Sequence, residues 1–146
     1  MPDLSHLRGK DSILVTMVCL GNICRSPMAA AVFATKAAKI SHPKVSVDTA
    51  GTSTWHVGDG PNIQSKKTWE KAGYSYNHIA SHFDLERLKK SDLVLVMDRS
   101  NYSNVTALSE DQELLKKVHF LRDFDYTITG EREVPDPYSL PDLSLI

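Results

Sequence analysis

A buried strand that runs into a helix through one short loop is the strongest constraint in this chain. Ile13-Leu14-Val15-Thr16-Met17-Val18 is a near-continuous apolar run, the mark of a strand covered on both faces. It stops at Cys19-Leu20-Gly21-Asn22, and Ser26-Pro27 opens an Ala-rich stretch from Met28 to Lys39. Ser26 is a candidate N-cap and Pro27 a favoured first helical residue, so a helix is expected there. Val45 to Ala50 reads as a second strand closed by Gly51, and Pro61 to Ala72 as a helix ended by Gly73. Leu93 to Met97 is a third strand and Val118 to Leu121 a weaker fourth. Strands and helices in alternation imply right-handed crossovers and a parallel sheet. The expected fold is α/β: one domain over residues 1–146, a three-layer sandwich with a central four-stranded parallel sheet flanked by helices. In such sheets ligands bind at the carboxyl ends of the strands, which directs attention to the loop after the first strand.

Composition narrows the partners. Seventeen Lys+Arg against 18 Asp+Glu leave a net charge of -1, which removes the usual argument for nucleic acid, since that requires a strongly basic face. The first ten residues are polar and mixed in charge, unlike a secretory signal, and no apolar run approaches the ~20 residues of a membrane span. The two cysteines stand five positions apart in one segment, which is no framework for a disulfide-stapled secreted domain. A cytoplasmic protein with reduced thiols is expected, without nucleic-acid or membrane partners. Zinc is not expected either, because the spacing is not C-x-x-C and no second ligand pair follows.

The loop Cys19-Leu20-Gly21-Asn22-Ile23-Cys24-Arg25-Ser26-Pro27 has a physical use for each part. Gly21 and Asn22 tolerate positive φ, so the backbone can curl until successive N–H groups face one point. Such a nest at a helix N-terminus binds an oxyanion and favours the thiolate form of a cysteine held there. Arg25 adds a planar fork that grips two phosphate oxygens at once. The Ser26 hydroxyl can donate to the Cys19 sulfur. A thiolate beneath a bound phosphate is a nucleophile for phosphoryl transfer. The reaction also needs an acid to protonate the departing oxygen, and Asp136, stiffened between Pro135 and Pro137, is the leading candidate.

These residues resemble the low-molecular-weight protein tyrosine phosphatases over nearly the whole chain. The matches are the C-x5-R loop, Thr49-Ala50-Gly51-Thr52-Ser53-Thr54-Trp55, Met97-Asp98-Arg99-Ser100-Asn101 and Asp136-Pro137-Tyr138. The resemblance implies hydrolysis of phosphotyrosine in proteins, with no metal or organic cofactor. Cys19 would be the nucleophile that becomes phosphocysteine, Arg25 the phosphate clamp, Asp136 the general acid and then base, and Ser26 the hydroxyl that stabilises the thiolate. Leu20, Gly21, Asn22, Ile23 and Cys24 would surround the phosphate, with His78 supporting Asn22 from behind. Cys24 would also be a redox partner able to shield Cys19 in a reversible disulfide. Trp55 and Tyr138 would be aromatic walls, and Asp98 a helix cap or loop brace. Ile23 stands where the protein-arginine phosphatases carry Thr, which favours tyrosine. Phosphotyrosine proteins and inorganic phosphate or other oxyanions are the implied ligands, and a monomer or weak homodimer the implied state.

The chain departs from the family pattern at two places. Ser81-His82 stands where the family has an Arg after its His-x-Ala segment, and Ser139 to Ile146, with Pro141 inside it, cannot form a full helix. The final family helix is thus expected to be missing, with lower stability as a result. Two other functions share the loop: an arsenate reductase that uses an external thiol, and a phosphate- or phosphoprotein-binding relative with weakened turnover.

Overall fold

The computed structural model describes residues 2–127 and 130–137. Four strands, β1 (Ser12–Cys19), β2 (Lys44–Gly51), β3 (Leu93–Val96) and β4 (Val118–Phe120), form one parallel sheet in the order β2-β1-β3-β4. The helices are α1 (Arg25–Ala37), α2 (Ile63–Lys71), α3 (Leu85–Lys90), α4 (Arg99–Thr106) and α5 (Gln112–Leu115).

The alternation of side chains along the strands builds two cores. Val15, Met17 and Cys19 of β1 join Leu93, Leu95 and Met97 and pack against Ala30 and Phe33 of α1. Val18, Val94 and Val96 point to the other face, where they meet Leu88 of α3, Val105 of α4 and the partly buried Leu114 and Leu115 of α5. Two buried faces explain why the central strands β1 and β3 read as near-unbroken apolar runs. The chain leaves β1 toward β2 on one side and returns to β3 on the other, so the strand order reverses at the carboxyl end of β1. That end carries Cys19, and the next residue after β3 but one is Asp98.

One local expectation is corrected. Helix α1 begins at Arg25, with Cys24 as an N-cap that makes no side-chain capping bond; Ser26 and Pro27 lie inside the first turn. The Ser26 hydroxyl is engaged by Cys19 and Asn22, so it cannot cap. Pro27 is tolerated because a first-turn nitrogen has no intrahelical acceptor. Helix α2 is capped by Asn62, which accepts from Ser65 N, and Gly73 follows its end at φ 94, as expected of a terminating glycine. Helices α3 and α5 were not legible as periodic segments, being six and four residues long. The segment expected to lack the final helix lies outside the described residues.

Candidate active site

The curvature of the loop after β1 follows from where its carbonyl groups go. Cys19 O accepts from Thr52 N at 3.0 Å, Leu20 O from Ser53 N at 3.0 Å, and Ile23 O from Asn62 N at 2.7 Å. Asn22 O accepts from His78 Nε2 at 2.5 Å, and Cys24 O from Ser65 Oγ at 2.9 Å. In a trans peptide the carbonyl and the following N–H point in opposite directions. Drawing these carbonyls outward therefore turns the N–H groups of Gly21, Ile23, Cys24 and Arg25 inward, around the Cys19 sulfur. Asn22 makes the turn at φ 58, and its own N–H donates to Cys19 Sγ at 3.3 Å. Gly51 lets the loop lie this close to β2: a Cβ there would stand 2.7 Å from Leu20 O.

A directed chain of donors ends at the sulfur. Ser81 N–H, which can only donate, meets Asn22 Oδ1 at 2.9 Å and so fixes which way the amide faces. Asn22 Nδ2 then donates to Ser26 Oγ at 2.7 Å. Ser26 Oγ lies 3.0 Å from Cys19 Sγ, and while it accepts from Asn22 its own hydrogen is available to the sulfur. On the other side Thr49 Oγ1 meets His78 Nδ1 at 3.2 Å. Because His78 Nε2 must donate to the Asn22 carbonyl, the neutral ring accepts from Thr49 at Nδ1. Burial pulls the His78 pKa below its ordinary value, which keeps the ring in that neutral state.

Arg25 divides its donors between structure and ligand. Its Nη1 donates to Asp98 Oδ2 at 2.8 Å and to Val134 O at 2.9 Å. That leaves the Nε–Nη2 edge as a pair of parallel donors, the spacing that suits two phosphate oxygens. Asp98 performs both roles expected of it, since Oδ2 braces Arg25 while Oδ1 caps α4 by accepting from Asn101 N at 2.8 Å. Asp136 Oδ2 stands 3.7 Å from Arg25 Nη2, an ion-pair distance too long for a hydrogen bond.

Cys19, Arg25, Asp136 and Trp55 line one cavity of about 230 Å³ together with Leu20, Gly21, Ile23 and Cys24. Asn22, expected among the phosphate-surrounding residues, is absent from that lining and fully buried; its left-handed turn sends the side chain behind the loop. Trp55 is 75% exposed, a ring that stands at the mouth with little protein against it. Tyr138, the other expected wall, lies outside the described residues. Burial pushes the Cys24 thiol up to about 11, so it stays protonated near neutral pH and does not compete as a nucleophile. Both cysteines are free thiols.

Sequence reasoning missed His56, which lines the cavity beside Trp55 and pairs with Asp59 at 3.0 Å. It also missed Ser65, Ser81 and the Val134 carbonyl. Adjacency to Trp55 was the one available signal for His56; the others act through backbone groups, which leave no side-chain motif.

An α/β sheet whose first strand delivers a Cys-x5-Arg loop to a helix N-terminus is an arrangement that suits a cysteine-dependent phosphatase. The chain belongs to the low molecular weight phosphotyrosine protein phosphatase family, whose sequence profile matches residues 14–143. It is 37% identical over 127 residues to the low molecular weight protein-tyrosine-phosphatase of Streptomyces coelicolor, covering 85% of this chain and 77% of that one. The crystal structure of YfkJ from Bacillus subtilis superposes with a TM-score of 0.80 at 32% identity, over 90% of this chain and 82% of that one. A protein tyrosine phosphatase structure from Entamoeba histolytica gives 0.80 at 33% identity, over 87% and 81%.

Proposed function

We propose that this phosphatase dephosphorylates phosphotyrosine in proteins through a phosphocysteine intermediate. The observation that carries the reading is the convergence of Cys19, Arg25 and Asp136 on one cavity above inward-turned N–H groups. In the first step Cys19 Sγ attacks phosphorus, the P–S bond forms and the P–O bond to the tyrosyl oxygen breaks. The Asp136 carboxyl gives that oxygen its proton. In the second step the Asp136 carboxylate takes a proton from water, the water oxygen bonds to phosphorus, and the P–S bond breaks to release phosphate. Charge that builds on the equatorial oxygens meets the loop N–H groups and the Arg25 edge, which are fixed before the reaction starts. Ser26 donates to the sulfur as it leaves with its electron pair. Asp98 and Val134 hold Arg25, and Cys24 is a protonated neighbour available for a disulfide with oxidised Cys19. A cavity lined by both Cys19 and the Trp55 ring suits an aryl phosphate better than phosphoserine, and apolar Ile23 in the same lining fits tyrosine.

The test is phosphate release from three matched peptides bearing phosphotyrosine, phosphoserine or phosphoarginine. Release confined to phosphotyrosine, and lost in Cys19→Ser, is expected. Asp136→Asn is expected to slow phenyl phosphate turnover by about 100-fold, the scale of a general acid, while inorganic phosphate still binds. Turnover preserved in Cys19→Ser would overturn the covalent mechanism, and equal loss of turnover and phosphate binding in Asp136→Asn would make that residue structural. Silence on all three peptides, with arsenate reduced in the presence of a small thiol, would favour the reductase.

A further inference from the structure

Arg87 sits on α3, outside the cavity, and no motif points to it. Its guanidinium nevertheless reaches back to the end of β2, where Nη1 donates to Asp48 Oδ2 at 3.1 Å and to Thr49 O at 2.9 Å. The other oxygen of Asp48 accepts from Thr49 N at 2.8 Å. Arg87 and Asp48 thus clamp the Thr49 backbone from both sides. Ser81 Oγ is a second donor to Thr49 O, at 3.0 Å.

Both supports of Asn22 start from this point. Thr49 Oγ1 orients His78, and His78 holds the Asn22 carbonyl. Ser81, anchored on Thr49 O, presents the N–H that fixes the Asn22 amide and hence the donor chain to Cys19. We propose that Arg87 is a positioning residue for the phosphate loop: through Thr49 it sets where His78 and Ser81 hold Asn22. This rests on the phosphatase reading of the same site.

A stabilising role alone would look different. The Arg87 and Asp48 side chains are 29% and 42% exposed, and ion pairs in that setting contribute little to folding. The effect of Arg87 is therefore expected in the geometry of the loop rather than in the melting temperature. The loop is where α3, six residues long and capped by Asp84, acts at a distance. Ser91 keeps the helix end in place, since its Oγ donates to Arg87 O at 2.7 Å and lies 2.7 Å from Thr16 Oγ1.

The experiment measures inorganic phosphate binding by calorimetry, which needs no turnover, with kcat and KM on a phosphotyrosine peptide and thermal unfolding beside it. Arg87→Met is expected to weaken phosphate binding by about fivefold, the equivalent of one net hydrogen bond, and to lower kcat more than it raises KM. Arg87→Lys is expected to recover most of both, because an ammonium can donate to Asp48 and Thr49 O together. Ser81→Ala, a milder variant should Arg87→Met fail to fold, is expected to shift phosphate binding in the same direction. Unchanged phosphate affinity and kcat in the folded variants, with only the melting temperature lowered, would overturn the proposal. A wild-type protein that neither binds phosphate nor releases it from phosphotyrosine would instead sink the function on which it rests.

Discussion

Two segments meet over the cavity and are held by opposite physics. The phosphate loop, Cys19 to Arg25, is fixed by neutral donors on its carbonyls, buried between β2, the His78 segment and the start of α2. The segment from Arg132 to Pro137, which carries Asp136, is tied to the sheet by one backbone bond, Val134 N to Met97 O at 2.6 Å, and otherwise hangs on charged groups. Glu133 binds Arg99 through Nη1 at 2.7 Å and backbone N at 3.0 Å, Arg122 donates to Glu133 O at 2.9 Å, and Arg132 pairs with Asp123 through two nitrogens. Buried neutral bonds hold a geometry against solvent and salt, whereas exposed ion pairs are screened. Cys19 and the loop around it thus stand on a rigid support, and Asp136 on a looser one. Arg25 is the joint, since it belongs to the loop by sequence and to the acid segment through Val134 O.

Breaking the joint has the largest expected effect. Arg25→Lys keeps the charge but loses the planar fork, so it can hold Asp98 or the phosphate and not both with Val134. A fall in kcat/KM of about 100- to 1,000-fold, the cost of losing a preorganised donor set at a developing charge, is expected in steady-state kinetics. Retention within tenfold would mean that the two segments do not share Arg25 as described.

Gly51→Ala breaks the loop alone. Its Cβ would meet Leu20 O at 2.7 Å, a backbone atom that cannot swing aside, so a loss of about 1–3 kcal/mol is expected from overpacking, together with weaker phosphate binding. Gly60→Ala is the control, because a Cβ there meets nothing within 4 Å. Equal melting temperatures for the two variants would show that the loop does not need the close approach.

Glu133→Gln breaks the acid segment alone and has a smaller expected effect. With Arg99 loosened, turnover of phenyl phosphate should fall about threefold, on the scale of a weak exposed pair, while p-nitrophenyl phosphate, whose leaving group needs less protonation, changes less. Phosphate affinity should stay as it is. If both substrates slow equally and phosphate binds more weakly, the segment is coupled to the loop more tightly than the charge pairs suggest.

What the sequence showed and hid follows the same division. The central strands were legible because two-sided burial demands unbroken apolar runs such as Leu93-Val94-Leu95-Val96, and Cys19, Arg25 and Asp136 could be singled out in the sequence as residues that the structure brings to one cavity. Asp98 was legible as a cap or a brace, and the structure uses one oxygen for each. The loop's supports were mostly hidden. Ser65, Asn62 and Ser81 act on or through backbone groups, which many residue types could serve, and Arg87 bridges 39 positions to Asp48 from a helix too short to show a period. The start of α1 was misplaced for a related reason: Ser26 reads as a cap in isolation, and only the fold gives its hydroxyl a better partner in Cys19.

The smallest expected effect separates two histidines, buried His78 and half-buried His119, by pH. Burial lowers the pKa of His78, and burial with the nearby His6 charge lowers that of His119, both from an ordinary 6.5. A histidine whose folded pKa is depressed contributes stability that is fully present above the unfolded value and is lost as pH falls toward the folded one. Melting temperature should therefore decline as pH drops below about 6.5, with contributions from both rings. They differ in what they touch. His119 Nε2 is buried without a hydrogen-bond partner among the described residues, and its ring lies edge-on to Phe124, far in sequence from the loop; His119→Phe should flatten part of the decline and leave kcat unchanged. His78 carries the Asn22 carbonyl, so His78→Phe should flatten another part while weakening phosphate binding, because the carbonyl that turns the Ile23 N–H inward loses its donor. A pH decline that survives both substitutions in full would assign it to the carboxylates instead, and unchanged phosphate affinity in His78→Phe would detach the loop's curvature from the support that distinguishes it from the acid segment.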